Sequence, residues 1–238
     1  MDHELLPDRG AILAVADSPY LRYQLRGEAT GHRLGDALFV RYAAGDGHSA
    51  LLVGPPGDAR RLIDMVDLAG LDGLHGPPGI ELPFAGQTDE WEFRWTHTIQ
   101  ELDPSAPTMV VLDGRRDADE INAVLDLALP ASQVRPGQPQ VIAWLGVRVA
   151  GRIAAVAADV GRSGVGMFGG FAVHPDFQGQ GLGSALTTAL TRRLIADYGV
   201  AALSVYSANT SAIRMYAKHG YIDTVQRCSG RLTVAGVR

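Results

Sequence analysis

With 238 residues, 46% apolar and 20% charged, the chain has length for one large hydrophobic core or two modest ones. Its net charge of −5 argues against a general nucleic-acid surface, and no apolar run reaches the length of a membrane span. A single cysteine, Cys228, excludes an internal disulfide and reads as an inert, partly buried small hydrophobe. The seven histidines show no ligand spacing with cysteine or carboxylate, so no metal site is expected. The start, "MDHELLPDRG", is charged and lacks the apolar stretch of a signal peptide, which predicts a cytoplasmic location.

In the first half, "DSPYLRYQLRG" predicts a short helix, with Asp17 and Ser18 as capping residues, Pro19 at a first helical position and Gly27 at the stop. "DALFVRYA" and "HSALLVG" predict two strands around the turn "AGDG". "DARRLIDMVDLAG" places Leu62, Ile63 and Val66 on one helical face, with Gly70 as terminator. A glycine- and proline-rich loop follows at 73–79, and "EWEFRWTH" then alternates like a strand, with Trp91, Phe93 and Trp95 on one packed sheet face. "DPSAPT", residues 103–108, marks a boundary between a lobe at 1–105 and a domain at 106–238.

Beyond the boundary, "MVVLDG" predicts a strand and "DADEINAVLDLAL" a helix, with Asp117 and Glu120 at capping-box spacing. "QVIAWLGVRVAGRIAAVAADVG" reads as two strands turning at Ala150–Gly151, and "VGMFGGFAV" as another strand. A helix over roughly 183–198 repeats Leu182, Leu186, Leu190 and Leu194 at four-residue spacing. "ALSVYSA" predicts a strand, "TSAIRMYAKHG" a helix ending at Gly220, and "YIDTVQRC…RLTV" a closing hairpin. The fold class is therefore α/β, a mixed sheet flanked by helices with a smaller α/β lobe in front.

"HPDFQGQGLGSALTTAL" sets alternating glycines at the mouth of the long helix. A strand, a glycine-rich turn and a helix start make an anion site, because the first N–H groups of a helix lack partners and its dipole favours negative charge. A nucleotide P-loop would end Gly-Lys-Ser/Thr, whereas this loop ends Gly183-Ser184 without lysine. A dinucleotide fold would require G-x-G-x-x-G and an acid ending the next strand; Gly179, Gly181 and Ser184 match in part, and "VYSA" ends without an acid.

Gln178, Gly181 and Gly183 form Q-x-x-G-x-G after "FAVHP", which resembles the acyl-CoA-binding motif of the GNAT N-acetyltransferase superfamily. "SVYSANTSAIRMYAKHGY" resembles the same family's second signature, through Asn209, Ala212, Tyr216 and Gly220-Tyr221. The resemblance spans roughly residues 107–232. It implies a cytoplasmic acetyltransferase that uses acetyl-CoA, without metal, to acetylate a small-molecule or peptide amine by direct attack. No nucleic acid or membrane is implied, and a homodimer is compatible. The pyrophosphate would rest on N–H groups of Gln178, Gly179, Gln180, Gly181, Leu182, Gly183 and Ser184. Phe171, Ala172 and Val173 would pair with the pantetheine arm at a splayed sheet edge, the Val173 N–H polarising the thioester carbonyl. Asn209 would hold the arm or the loop beside it, and equally suits a helix cap. Tyr216 would protonate the departing thiolate, and equally suits a core position beside Ile213. His174 and Asp176 fit turn chemistry.

Many members of that family carry a carboxylate at the position of Gly169 or Gly170, where this chain has "MFGGF". The double glycine is expected to leave open space for a bulky acceptor. A lysine-like amine is neutral in only about one molecule in two or three thousand at pH 7, an α-amine in about one in ten. The missing base therefore points to a low-pKa amine, or to relay through groups such as Tyr206 or Asp159. "QVRPG" is too short for the second helix that walls the acceptor site in relatives, and the N-terminal lobe is expected to supply that wall. The alternative reading is a non-catalytic acyl-CoA-binding or sensing module.

Overall fold

The computed structural model describes residues 3–101 and 107–232. The chain divides into two compact units. The first takes residues up to Phe93 with Val205–Asn209 and Val225 onward, the second Arg94–Ser204 with Thr210–Thr224. The boundary expected at 105/106 lies outside the described residues.

The first unit runs β1 (Glu4–Leu6), α1 (Arg9–Val15), α2 (Pro19–Gln24), β2 (Ala29–Leu34), β3 (Ala37–Ala44), β4 (Gly47–Val53), α3 (Pro56–Ile63) and β5 (Gly73–Gly76). β6 (Asp89–Thr96) passes from this unit to the next. Short helices here need their caps: Asp8 Oδ1 accepts from the Ala11 N–H at 2.8 Å, and Ser18 Oγ from the Leu21 N–H at 3.2 Å. β1 to β4 form an antiparallel meander, β5 lies parallel to β4, and the late strand β12 (Asp223–Arg231) pairs antiparallel with β5. One sheet face is closed by α3, whose Ala59, Leu62 and Ile63 pack with Leu34, Phe39, Leu52 and Leu74. Each such fully buried leucine or phenylalanine contributes about 1.5–3 kcal/mol. Elsewhere in the unit, Tyr20 meets the edge of Phe93 with ring centroids 5.2 Å apart.

The second unit contains β7 (Met109–Leu112), α4 (Ala118–Ala128), β8 (Ala143–Val149), β9 (Arg152–Asp159), β10 (Gly166–Val173), α5 (Leu182–Tyr198), most of β11 (Ala201–Tyr206) and α6 (Thr210–Lys218). Its strand order is β11-β10-β9-β8-β7, with β10 parallel to β11 and the other pairs antiparallel. Every residue of β9 from Ile153 to Asp159 is buried. That is why "IAAVAAD" reads as a continuous small apolar run rather than an alternation: helices cover the sheet on both faces. α4 packs through Ile121, Val124 and Leu125, and α5 through Leu186, Leu190 and Leu194.

Three expectations are corrected. Asp223–Arg231 is one strand rather than half of a hairpin, held along β5 from Cys228↔Gly76 to Arg231↔Gly73. α3 stops at Ile63 rather than near Gly70, because the Met65 N–H turns in to Leu62 O and Asp67 Oδ1 takes the Ala69 N–H. The capping box at α4 does not form, because the Asp117 carboxylate is engaged by the Asp113 N–H at 2.8 Å and by Arg148 at 2.9 Å.

Candidate active site

The site is built on β10. Its ladder with β9 runs Phe168↔Asp159 and Gly169↔Ala158, then resumes at Ala172↔Val156 and Val173↔Ala155. One extra residue is therefore inserted on β10, a bulge at which Gly170 takes φ +53°. A residue with a Cβ is strained in that left-handed conformation, which explains a glycine there. On the opposite edge, β10 pairs with β11 only at Gly166↔Ala201 and Met167↔Ala202 among the described residues. From Phe168 onward that edge has no ladder.

The direction of the free groups follows from the register. The His174 N–H donates to Ala154 O on β9 at 2.9 Å. Alternation along a strand then turns the N–H and C=O of Val173 to the other edge. The Val173 carbonyl accepts from Gln178 Nε2 at 3.3 Å, while its N–H points where the ladder has ended.

Past β10, Pro175–Phe177 makes one 3-10 turn, closed by His174, whose Nδ1 accepts from the Asp176 N–H at 3.2 Å. His174 and Asp176 thus do turn chemistry. Gln180 Nε2 reaches Asp176 O at 3.4 Å, so both loop glutamines brace the turn. Gly181 is the N-cap of α5 at φ +78°, with nothing within 4 Å of a Cβ built on it, and no side chain caps the first turn. The N–H groups of Leu182, Gly183 and Ser184 are left facing an open approach, with the helix dipole behind them.

α6 lies beside this helix start. The Ser184 hydroxyl is 2.7 Å from His219 Nε2, and Thr188 Oγ1 is 3.1 Å from His219 Nδ1. Thr188 Oγ1 already donates to Ser184 O at 3.2 Å, so the network assigns the Nδ1 proton to His219 and lets Nε2 accept from Ser184. Burial lowers the His219 pKa, in keeping with a neutral ring. A cleft of about 650 Å³ opens here, lined among others by Gln180, Gly181, Ser184, Arg214, Lys218 and His219.

Tyr216 is 7% exposed and meets Phe168, Phe171 and Tyr221 edge-on at centroid distances of 6.0–6.4 Å. Burial in this aromatic nest pushes its phenol far above the usual tyrosine range, so it is protonated at any working pH. Its hydroxyl makes no hydrogen bond among the described residues, which leaves the proton free to be given. Asn209 stands between β11 and α6, its N–H donating to Tyr206 O at 2.9 Å.

The space expected over the double glycine is filled. A Cβ on Gly170 would lie 2.7 Å from Trp144 Cη2, and one on Gly169 would lie 3.0 Å from Val160 and 3.1 Å from Val134. Val134 is held there by Arg135, which ion-pairs with Asp126 at 2.6 Å and donates to Pro130 O at 3.2 Å. No helix forms between α4 and β8, in line with the short "QVRPG". Asp159 is also removed from a relay. It is 0% exposed, accepts from the Gly161 N–H at 2.8 Å and meets Tyr198 OH at 3.4 Å. Tyr198 ends α5, about 25 Å along the helix from the Gly181 cap. Burial raises the Asp159 pKa, the Gly161 bond and Arg193 opposing it.

Phe171 to Ser184 thus form one continuous run, with Tyr216 packed on Phe171. Sequence reasoning missed Arg214, Lys218 and His219 as neighbours of the helix start. The i, i+4 spacing of Arg214 and Lys218 was the available signal.

A family model of the acetyltransferase (GNAT) family matches residues 90–221, more than half of the chain. The fold is similar to that of a GNAT-family protein from Novosphingobium aromaticivorans DSM 12444, at 21% identity and TM-score 0.55, covering 84% of this chain and 91% of that one. It is also similar to a GCN5-related N-acetyltransferase from Kribbella flavida, at 18% identity and TM-score 0.52, covering 87% and 90%. A GNAT-family acetyltransferase from Colwellia psychrerythraea matches at 12% identity and TM-score 0.53 over 98% and 100%. Among curated proteins none matches. By the match over residues 90–221, the chain belongs to the acetyltransferase (GNAT) family.

Proposed function

We propose that the protein moves an acetyl group from acetyl-CoA to a primary amine by direct attack in a ternary complex. One observation carries the reading: the run Phe171–Ser184 offers a strand edge without a ladder and then an uncapped helix start, in the order that pantetheine and pyrophosphate follow in acetyl-CoA. The residues fit this cosubstrate. Of the three residues expected on the pantetheine arm, Ala172 turns its peptide groups to β9, while the free edge at Phe171 and Val173 suits the arm's amides, as in strand addition. Of the expected cradle, the Gln178 N–H is taken by Pro175 O at 3.3 Å, while the N–H groups at Gly179–Ser184 suit a pyrophosphate and Gly181 leaves its approach clear. Asn209 is assigned to the arm by its place in the second signature.

The chemistry follows from charge. As the amine attacks, negative charge builds on the thioester oxygen, and the Val173 N–H stabilises it. The attacking nitrogen loses its extra proton to solvent, and collapse of the tetrahedral intermediate breaks the C–S bond. Tyr216 passes its proton to the departing sulfur, and solvent returns a proton to the phenolate. No carboxylate stands at Gly169–Gly170, and Asp159 is sealed at the far end of α5. This supports an acceptor already partly neutral near pH 7, such as an α-amine, over a lysine side chain. Because Trp144 and Val134 fill the space above the glycines, the acceptor needs another approach to Val173.

The test is acetyl-CoA-dependent thiol release over a panel of α-amines, polyamines and lysine peptides. Release with at least one class supports the reading. Tight acetyl-CoA binding with no release above hydrolysis across the panel would replace it with the non-catalytic binding module.

A further inference from the structure

α6 carries two cations that no described residue engages. Arg214 and Lys218 are exposed, and neither has an ion pair or side-chain hydrogen bond among the described residues. They stand at i and i+4, on the helix face that includes Ser211 and Met215, and all four line the 650 Å³ cleft together with Gln180, Gly181 and Ser184. Lys218 is the only lysine in the chain. Its neighbour His219 is differently occupied, since both ring nitrogens are committed to Ser184 and Thr188. Among the described residues, Glu101 is the one acid on the lining. The cleft thus has two kinds of anion donor: peptide N–H groups at the start of α5, and free cationic side chains across from them.

These donors suit different phosphates. A pyrophosphate diester carries about one charge per phosphorus and is matched by N–H dipoles. A phosphomonoester is close to dianionic at neutral pH and gains most from full cations. Coenzyme A has one of each, with the monoester on the ribose 3′ position beyond the pyrophosphate. We infer that Arg214 and Lys218 form a second phosphate site that reads the 3′-phosphate of the cosubstrate, so that the enzyme selects CoA thioesters over their 3′-dephospho counterparts. Ala185 and Met215 supply the apolar lining against which the adenosine lies. The inference rests on acetyl-CoA as the donor and adds which part of it the side chains recognise.

The experiment is calorimetric titration of the full chain with CoA and with 3′-dephospho-CoA, at low and high salt. The wild type is expected to bind CoA about tenfold more tightly at low salt, with the ratio narrowing as salt rises. Arg214→Ala and Lys218→Ala should each shrink that ratio and leave the affinity for 3′-dephospho-CoA in place. A second readout needs no variant: because Lys218 is the only lysine, acetylation by an N-hydroxysuccinimide ester followed by peptide mass spectrometry reports it alone among side-chain amines. CoA should protect it, and 3′-dephospho-CoA should protect it less. Equal affinity of the wild type for both ligands, with equal protection, overturns the second site and leaves the backbone cradle standing. Failure of both ligands to bind overturns the cradle and the second site together.

Discussion

Trp144 Cη2 lies 2.7 Å from where a Cβ on Gly170 would stand, and this one contact decides what position 170 tolerates. The left-handed φ of +53° adds a second penalty. Gly170→Ala should therefore destabilise the protein by about 2–4 kcal/mol, from overpacking plus backbone strain. Thermal or urea unfolding measures it. Trp144→Leu is itself destabilising because it empties a buried site, but in that background the added cost of Gly170→Ala should shrink, since the clash is gone and only the strain is left. An equal cost of Gly170→Ala in the wild-type and Trp144→Leu backgrounds would show that the ring is not the obstacle.

Tyr216 packs as an aromatic wedge and is kept protonated by burial. Tyr216→Phe keeps the wedge and removes only the hydroxyl. The expected outcome is a fall in kcat of about 10²-fold with little change in the KM for acetyl-CoA. The phenol pKa is raised, so its loss of a proton lies beyond the working range. The wild-type kcat profile should then show no alkaline decline from this group up to about pH 10. An unchanged kcat in the variant would assign Tyr216 to packing alone.

Gly181 caps α5 in the left-handed region with open space around it. Gly181→Ala meets no clash, so its stability cost should stay near 1–2 kcal/mol. The larger effect should be on affinity, since the substitution moves the N–H groups of the first turn and puts a methyl in the approach. A CoA Kd raised about tenfold or more, measured by calorimetry, is the expected result. An unaltered Kd would remove the helix start from the site.

His75 supplies a stability prediction away from the site. Trp91 Nε1 donates to Ser229 Oγ at 2.5 Å, which leaves the Ser229 proton for His75 Nδ1 at 2.7 Å. Burial first, then the charge of Arg227, pulls the His75 pKa down from 6.5 to about 4. The unfolded chain thus binds more protons between those values, and stability falls as pH drops from about 6.5 towards 4. The loss approaches about 3 kcal/mol over that window. In His75→Gln this share of the acid sensitivity should vanish, which urea unfolding at pH 7, 5.5 and 4.5 would reveal. Parallel pH profiles for variant and wild type would place the titration elsewhere.

Much of the second unit was legible in the chain, because each element there is long enough to show its period and is punctuated by glycine. The Leu186, Leu190 and Leu194 stripe and the Ala150–Gly151 turn are of this kind. β1, α1, β2 and β5 were not legible. Each is short, and "ATGHRL" and "GLHG" carry glycine and histidine where a strand signal needs branched apolar residues. At the site, the helix start was readable because its meaning is local. The filling of the Gly169–Gly170 space was not. It depends on a tryptophan from β8 and a valine from a loop pinned by Arg135, which adjacency in sequence does not connect to "MFGGF". The correction matters because an open pocket and a packed one predict opposite acceptor sizes.

The early end of the ladder between β10 and β11 has an evolutionary consequence. A docking edge made of peptide groups is the same whatever side chains hang from it, so mutation at Phe171 or Val173 can retune packing without deleting a donor. Only proline erases one, by removing the N–H itself. Drift can therefore rewrite most letters of such a strand while its hydrogen-bonding face stays fixed. The chain shares its fold with the Colwellia protein across 98% of its length at 12% identity.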